Sequence, residues 1–333
     1  MTTRVGINGF GRIGRNYLRM VFDLPEFDVV AINDITDSAT MARLLRYDST
    51  FGPFHRTIED LGDSIAVDGH KIAVSAVKDP AQIAWREHGV EVVIESTGKF
   101  RGRAGATGHL TAGAQRVLIS APGKDVDATI VLGVNDETYD ADHHRIISNA
   151  SCTTNCVAPM VKVLNDSFGI VQGFMTTVHA YTNDQNVLDA PHKDPRRARA
   201  AAVNIIPTTT GAARAVGEVI PAMKGRLDGV ALRVPVVDGS LVDLAVLLHA
   251  DVTVADVNAA FEAAGAAGAL AGRLRYTTDP VVSTDVIGDP ASCVFDASLT
   301  QAAGPMVKVF GWYDNEWGYT ARLVDLTRLV AKG

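Results

Sequence analysis

The sequence predicts an α/β chain in two parts: a doubly wound parallel sheet, then an α+β domain on a large mixed or antiparallel sheet. Three observations carry that prediction. Short apolar, β-rich runs alternate with amphipathic stretches through the first half, the rhythm of repeated strand–helix–strand units. Longer apolar runs with fewer helical stretches between them fill the second half, as when helices cover one face of a sheet. The rhythm changes at Ser148-Asn-Ala-Ser-Cys-Thr-Thr-Asn-Cys156, a polar turn between two apolar runs. That change sets a domain boundary at 150/151; the expected domains are 1–150 with 317–333, and 151–316.

A chain of 333 residues, 47% hydrophobic and 21% charged, suits two soluble globular domains. A net charge of −7 argues against a nucleic-acid partner, which would call for a basic footprint. Three cysteines are too few, and odd in number, for a disulfide framework, which points to a reducing compartment. No apolar run is long enough to span a membrane, and the N-terminus enters a strand without a signal-like pattern. The expectation is a soluble cytoplasmic protein with neither nucleic acid nor membrane as partner.

The first half opens on Thr3-Arg-Val-Gly-Ile-Asn8, a short strand, followed at once by Gly9-Phe-Gly-Arg-Ile-Gly14. A helical pattern (Ile13, Tyr17, Leu18, Val21) and a second strand ending at Asp34 complete a βαβ unit. Gly-x-Gly-x-x-Gly alone is weak evidence. Between strand and helix, with an acidic residue ending the next strand, it is the Rossmann dinucleotide fingerprint. Gly9 and Gly11 would let the backbone approach a pyrophosphate, and Asp34 would take the ribose hydroxyls; the bland alternative is a plain turn with a solvated aspartate. Further strands are expected over 91–98, 116–120 and 128–134, with a hairpin across Asp68-Gly69 and a helix through His109-Leu110. Thr97 and Ser120 end strands on the edge where such sheets bind ligands, although singly each is an ordinary loop starter.

Arg145-Ile-Ile-Ser148 reads as a strand and Val157-Ala-Pro-Met-Val-Lys-Val-Leu164 as a helix, which sets Cys152 at a helix N-terminus. There the dipole and the first N–H groups favour thiolate. Cys152 is accordingly expected to titrate well below an ordinary thiol and to be alkylated before Cys156 or Cys293. A lone cysteine is as often a small buried hydrophobe, but Ser151, Thr153, Thr154 and Asn155 give this one a polar setting. Long strands are expected over 171–181, 229–237, 241–249 and 306–314, with a polar loop of functional length between Tyr181 and Asn204. Thr208-Thr-Thr-Gly211 runs into a helical pattern, so Thr210 and Gly211 suit an oxyanion at its start. Arg233 stands in an apolar strand and needs an anionic partner, whereas Arg196 and Arg197 read as a solvated face.

Seven segments, in order, resemble phosphorylating glyceraldehyde-3-phosphate dehydrogenases. They are Asn8-Gly-Phe-Gly-Arg-Ile-Gly-Arg15, the cysteine turn 148–156, His179-Ala-Tyr-Thr-Asn-Asp-Gln185, Arg196-Arg-Ala-Arg199, Pro207-Thr-Thr-Thr-Gly-Ala-Ala213, Leu232-Arg-Val-Pro235 and Trp312-Tyr-Asp-Asn-Glu-Trp-Gly-Tyr319. The resemblance implies oxidation of glyceraldehyde 3-phosphate to an acyl phosphate, through a thiohemiacetal and a thioester on Cys152. His179 looks like the residue that activates the thiol and handles the proton, a task for a near-neutral base. By resemblance Thr182 and Arg233 hold the substrate phosphate, and Ser151, Thr153, Thr210, Gly211 and Arg199 hold attacking inorganic phosphate. The same resemblance places Arg12 and Ile13 at the pyrophosphate of NAD, Asp34 at the adenosine ribose and Lys78 near the adenine. It places Ser120 near the nicotinamide ribose and Asn315 on the nicotinamide carboxamide. No metal is assigned. A homotetramer is implied, with the 181–204 loop packed against a neighbour.

Asp34 and Pro191 are NAD-type choices, since a carboxylate repels a 2′-phosphate. Ala190, Lys78 and Pro195 depart from the strictly NAD-specific pattern and leave NADP use open. Erythrose-4-phosphate dehydrogenases share the cysteine motif, but here the Ala-Tyr-Thr after His179 and the Thr-Gly phosphate loop are intact, which favours the triose. A non-catalytic nucleotide- or RNA-binding or redox-signalling module on this scaffold would have lost the cysteine, histidine or arginine; all three are present.

Overall fold

A computed structural model describes residues 2–332. The chain divides into two compact units: Met1–Ile130 with Glu137–Ala150 and Thr320–Gly333, and Val131–Asp136 with Ser151–Tyr319. The break at Ala150/Ser151 falls inside the polar turn. The segment 131–136 differs from expectation in leaving the first unit. Its apolar residues suggest a strand, but only Ala128–Thr129 is one. Asn135 Oδ1 accepts from Val131 N at 2.8 Å, and Val134 N donates back to the Val131 carbonyl. A closed turn therefore overrides β-propensity.

The first unit holds β1 (Thr3–Asn8), α1 (Arg12–Val21), β2 (Phe27–Asn33), α2 (Ser38–Arg46), β3 (Ile58–Asp60), β4 (Ser64–Val67), β5 (His70–Ser75), β6 (Val92–Glu95), α3 (Arg103–Thr111), β7 (Arg116–Ile119), β8 (Ala128–Thr129) and β9 (Ile146–Ser148). The nine strands form one sheet in the order β3-β4-β5-β2-β1-β6-β7-β9-β8. All neighbours from β5 to β8 are parallel, and the β3-β4-β5 edge is antiparallel. Asp68 and Gly69 take positive φ at 47° and 83°, the backbone that the β4–β5 hairpin demands. Central strands are apolar on both faces: Val5, Ile7, Ile32, Val93, Ile94 and Leu118 are all buried. The strand order reverses direction between β2 and β6 around β1, which makes their carboxyl ends the expected binding crevice.

The second unit holds α4 (Cys152–Phe168), β10 (Ile170–Ala180), β11 (Ile206–Thr209), α5 (Ala212–Val219), β12 (Leu227–Val234), β13 (Ser240–Leu248), α6 (Val254–Ala266), β14 (Leu274–Thr277), β15 (Cys293–Asp296), β16 (Gln301–Ala303), β17 (Met306–Tyr313) and the start of α7 (Trp317–Ala331). Its sheet runs β11-β12-β10-β13-β17-β15-β14, with β16 beside β17. Only β10–β12 and β14–β15 are parallel. Every second residue of β13 is buried where α4 packs, while Phe174 and Val230 on neighbouring strands stand exposed. That alternation belongs to a sheet covered on one face. From Thr320 on, α7 joins the first unit, where Tyr17 Oη donates to Thr327 Oγ1 at 3.0 Å. Among the described residues, no helix is long and apolar enough to cross a membrane.

Candidate active site

Ala150 holds a φ of 54° and turns the chain sharply into α4. A non-glycine residue rarely adopts that backbone, so the turn is a strained one. Ser151 caps the helix, its Oγ accepting from Thr154 N at 3.0 Å. Cys152 keeps partial exposure, whereas Cys156 and Cys293 are buried. Thr153 reaches the Cys152 sulfur with both its backbone N–H and its hydroxyl. The expected low thiol pKa is not what this arrangement gives. Burial pushes the Cys152 thiol up, and Arg233 and Thr153 draw it back only in part. Desolvation outweighs the helix terminus, and Cys152 rests as a thiol.

His179 and Arg233 come together because β10 and β12 pair in parallel with these two residues in register. His179 Nε2 lies 3.5 Å from Cys152 Sγ, and Nδ1 lies 2.7 Å from the Ala180 carbonyl. Nδ1 faces two opposed demands, the Ala180 carbonyl that accepts and the Arg233 guanidinium that donates; with the hydrogen on Nδ1 toward the carbonyl, the Nε2 lone pair faces the thiol. Arg233 Nη1 abuts the same ring nitrogen and donates to the Ala180 carbonyl at 3.1 Å. Burial first, then the Arg233 charge, push His179 down to about 3 against the pull of that carbonyl. The imidazole is therefore neutral and can accept a proton. Arg233 Nε is buried without a partner, and among the described residues no carboxylate forms an ion pair with Arg233. The guanidinium therefore keeps hydrogen-bonding capacity for a further group.

Sequence reasoning missed the groups behind this pair. Tyr313 stands edge-on to His179, ring centres 5.9 Å apart, with its hydroxyl 2.8 Å from Thr153 Oγ1 and 2.9 Å from Thr177 Oγ1. Ser240 Oγ accepts from Ala180 N at 3.1 Å and donates to Asn315 Oδ1 at 2.6 Å. With its oxygen so engaged, Asn315 keeps its amide hydrogens for another group. Only the 312–319 motif pointed toward Tyr313, and nothing pointed to Ser240.

The expected anion ligands are less tightly gathered. Thr182 gives its N–H and hydroxyl to Gln185 Oε1. Gly211 caps α5 with no side-chain cap bond, and Thr210 Oγ1 accepts from Ala212 N at 3.2 Å. Arg199 is exposed and pairs with Asp189 at 2.9 Å. Among the described residues, no hydrogen bond ties Thr182, Arg199, Thr210 or Gly211 to Cys152 or His179. Arg197 corrects the sequence reading: it is half-buried, ion-paired to Asp184, and donates to Thr208 Oγ1 at 2.8 Å.

In the first unit a cavity of about 310 Å³ opens at the carboxyl ends of β1, β2 and β6. Gly9, Gly11, Asp34, Lys78 and Thr97 line it; so do Asn33, Ile35, Val77, Lys99 and Phe100, which the sequence did not single out. The motif glycines have different reasons. A Cβ on Gly9 would sit 2.6 Å from Thr97 N, and one on Gly14 would overlap the Gly9 carbonyl. A Cβ on Gly11 would meet no atom within 4 Å, so the space beyond it is left for a ligand. Asp34 Oδ2 accepts from Phe10 N at 2.6 Å, which ties the carboxylate to the glycine turn. Arg12 follows as the first residue of α1, pairs with Asp48 and lies over the Phe51 ring; Ile13 is half-buried beside it. Ser120 N donates to the Glu95 carbonyl at 3.0 Å, which fixes its position beyond β7. An open glycine turn, an acidic strand end and an apolar slot fit a dinucleotide.

Comparison with known proteins adds independent findings. Residues 3–103 match the family model for the glyceraldehyde 3-phosphate dehydrogenase NAD binding domain, and residues 151–315 match its C-terminal domain. A glyceraldehyde-3-phosphate dehydrogenase of Streptomyces coelicolor is 59% identical over 332 residues, 99% of each chain. Proteins of the same name from Mycobacterium avium and Mycobacterium tuberculosis are each 56% identical, across 100% of this chain and 99% of theirs.

Proposed function

The chain belongs to the glyceraldehyde-3-phosphate dehydrogenase family, and from that premise we propose how its residues carry the reaction. It is an NAD-dependent oxidoreductase acting on glyceraldehyde 3-phosphate. When bound, NAD accepts the hydride that converts a thiohemiacetal into a thioester. Gly9, Gly11, Arg12 and Ile13 hold its pyrophosphate, Asp34 and Thr97 the adenosine end beside Lys78, and Ser120 and Asn315 the nicotinamide end.

Cys152 Sγ attacks the aldehyde carbon as its proton passes to His179 Nε2 and on to the new oxyanion, giving a neutral thiohemiacetal and a neutral imidazole. The same imidazole takes the hydroxyl proton as the thioester forms. One observation carries the reading: a neutral imidazole 3.5 Å from the thiol, beside a half-buried arginine whose Nε has no partner. A base held near 3 is weak, and Arg233 is part of the reason. The substrate phosphate, taken by Arg233 and Thr182, neutralises that charge and strengthens the base as the aldehyde arrives. Inorganic phosphate, held by Ser151, Thr153, Arg199, Thr210 and Gly211, then attacks the thioester. An acyl phosphate leaves, and His179 returns the proton to sulfur.

We further propose a cytoplasmic homotetramer. Val187, Leu188, Val203 and Ile205, in and beside the 181–204 loop, are 67–81% exposed, and so large an apolar patch marks an interface. Steady-state kinetics with NAD and NADP, with and without phosphate, test the chemistry. Without phosphate, one equivalent of NADH should form per site before turnover stalls. Continued turnover would mean hydrolysis and would sink the acyl-phosphate reading. Light scattering reads the oligomer.

A further inference from the structure

We infer that Asp238 is a positioning residue, a buried neutral carboxylic acid whose hydrogen bond to Asp314 holds Asn315 in place. The inference rests on the assignment of Asn315 to the nicotinamide amide. Two carboxyl groups meet here inside the second unit, in hydrogen-bond contact with each other. They are unequally supplied with donors. Asp314 accepts three backbone N–H groups: Gly288 on Oδ2 at 2.7 Å, and Glu316 at 2.8 Å and Trp317 at 2.6 Å on Oδ1. Asp238 is fully buried and accepts one, from Gly239 on Oδ1 at 2.8 Å, while its Oδ2 meets no donor.

Two ionised carboxylates do not share a buried site, so one proton lies between them. Three N–H groups hold Asp314 ionised, and the proton belongs to Asp238 Oδ2. An acid kept neutral in order to donate is a known way to use a buried carboxyl. Burial first, then the charges of Asp314 and Glu316, push Asp238 up to about 9. Burial raises Asp314 too, and its three N–H partners and Asp238 draw it back only in part.

The clasp acts on Asn315 because its parts are adjacent. Asp238 and Ser240 flank Gly239, whose φ of 82° and contact with the Ser283 carbonyl admit no side chain. Asp238 grips Asp314, and Ser240 grips Asn315 Oδ1 at 2.6 Å, so one turn holds two consecutive residues. Ser240 also accepts from Ala180 N, next to His179. The neutral state has a second consequence, because negative charge on Asp238 raises the Cys152 thiol further. The groups bearing on Asp238 are the carboxyls of Asp314 and Glu316 and the Cys152 thiol.

The test compares Asp238→Ala, Asp238→Asn and Asn315→Ala in the full chain. Kinetics with NAD and melting curves are read from pH 7 to pH 10. Asp238→Ala should raise KM for NAD on the order of 10-fold, the loss of one hydrogen bond to a charged group. Asp238→Asn, which keeps a neutral donor, should restore it and abolish the alkaline limb expected of the native chain near pH 9. A raised acid binds its proton only in the fold, so native stability falls as pH rises toward that value. Asp238→Asn should therefore melt higher, by a margin that widens up to about pH 9. An asparagine variant as impaired as the alanine one, or an alkaline limb that persists in it, overturns the inference. Should the alanine variant fail to fold, the asparagine profile decides. Asn315→Ala with unchanged KM for NAD overturns the Asn315 assignment and this inference with it. A weakened Asn315→Ala beside an unaffected Asp238→Ala overturns this inference alone.

Discussion

Two buried polar centres, one in each unit, use similar groups and end in opposite conditions. In the first, Glu95 Oε2 accepts from Asn8 Nδ2 at 2.6 Å and lies 3.0 Å from His109 Nε2, while Oε1 accepts from Thr97 N at 2.9 Å. Trp85 Nε1 donates to His109 Nδ1 at 3.0 Å, so the histidine's own hydrogen points at Glu95. In the second, His179 Nδ1–H and Arg233 compete for one carbonyl, and Arg233 Nε has no partner. A satisfied network is inert and fixes geometry; here it anchors Asn8 and Thr97 in the wall of the nucleotide cavity. An under-supplied one carries a standing cost and binds whatever relieves it. The difference separates scaffold from reactive site more clearly than residue type does, since both centres contain a buried histidine.

The largest effect should fall on the reactive centre. Cys152→Ser should cut kcat by about 1000-fold or more and leave the melting temperature in place. Turnover at the native rate would remove the covalent reading. Arg233→Met should follow, with kcat/KM for the triose phosphate down by about 100-fold and stability unchanged or raised, because a half-buried guanidinium with an unpaired Nε is gone. The His179 resonance, followed by NMR, should then titrate closer to an ordinary imidazole; one that stays put would show that burial alone depresses it. Acid should reveal the same group in the native chain. The unfolded imidazole takes a proton near pH 6.5 and the folded one only near 3, so stability should fall as pH drops through that window. His179→Asn should flatten this part of the curve. Glu95→Gln tests the scaffold centre: denaturant titration should show a loss of about 1–3 kcal/mol, with kcat near native and NAD held less tightly. A large fall in kcat would erase the contrast. The smallest effect belongs to Arg199→Ala, whose solvent-exposed pair with Asp189 contributes little to stability. Its melting should not move, while KM for inorganic phosphate rises a few-fold.

What the sequence made legible was what local pattern decides. Apolar runs broken by glycine turns announce a parallel sheet, and a cysteine after a strand and before a helix announces its own place. His179 and Arg233 were each found from local context; that they adjoin depends on strand register, which no local pattern contains. Ser240 and Asp238 were illegible for the same reason, since β13 and β17 pair across a long stretch of chain. The Cys152 expectation failed differently. The helix terminus is a local feature, but burial is set by everything folded around it, and burial won. Arg197 was misread because its partners, Asp184 and Thr208, come from both ends of the loop.

Gly311 lies where the sulfur atoms of the second unit crowd together. A methyl group there would stand 2.6 Å from Cys293 Sγ, 2.7 Å from Met160 Sδ and 3.2 Å from Cys156 Sγ. Cys156 and Cys293 are buried in this knot, away from a dissolved oxidant. Cys152 alone among the cysteines is accessible. Mild oxidant should therefore silence this protein at one atom while its core sulfur stays reduced. Because a sulfenic acid returns to thiol on reduction, the silenced chain should recover its full activity without refolding.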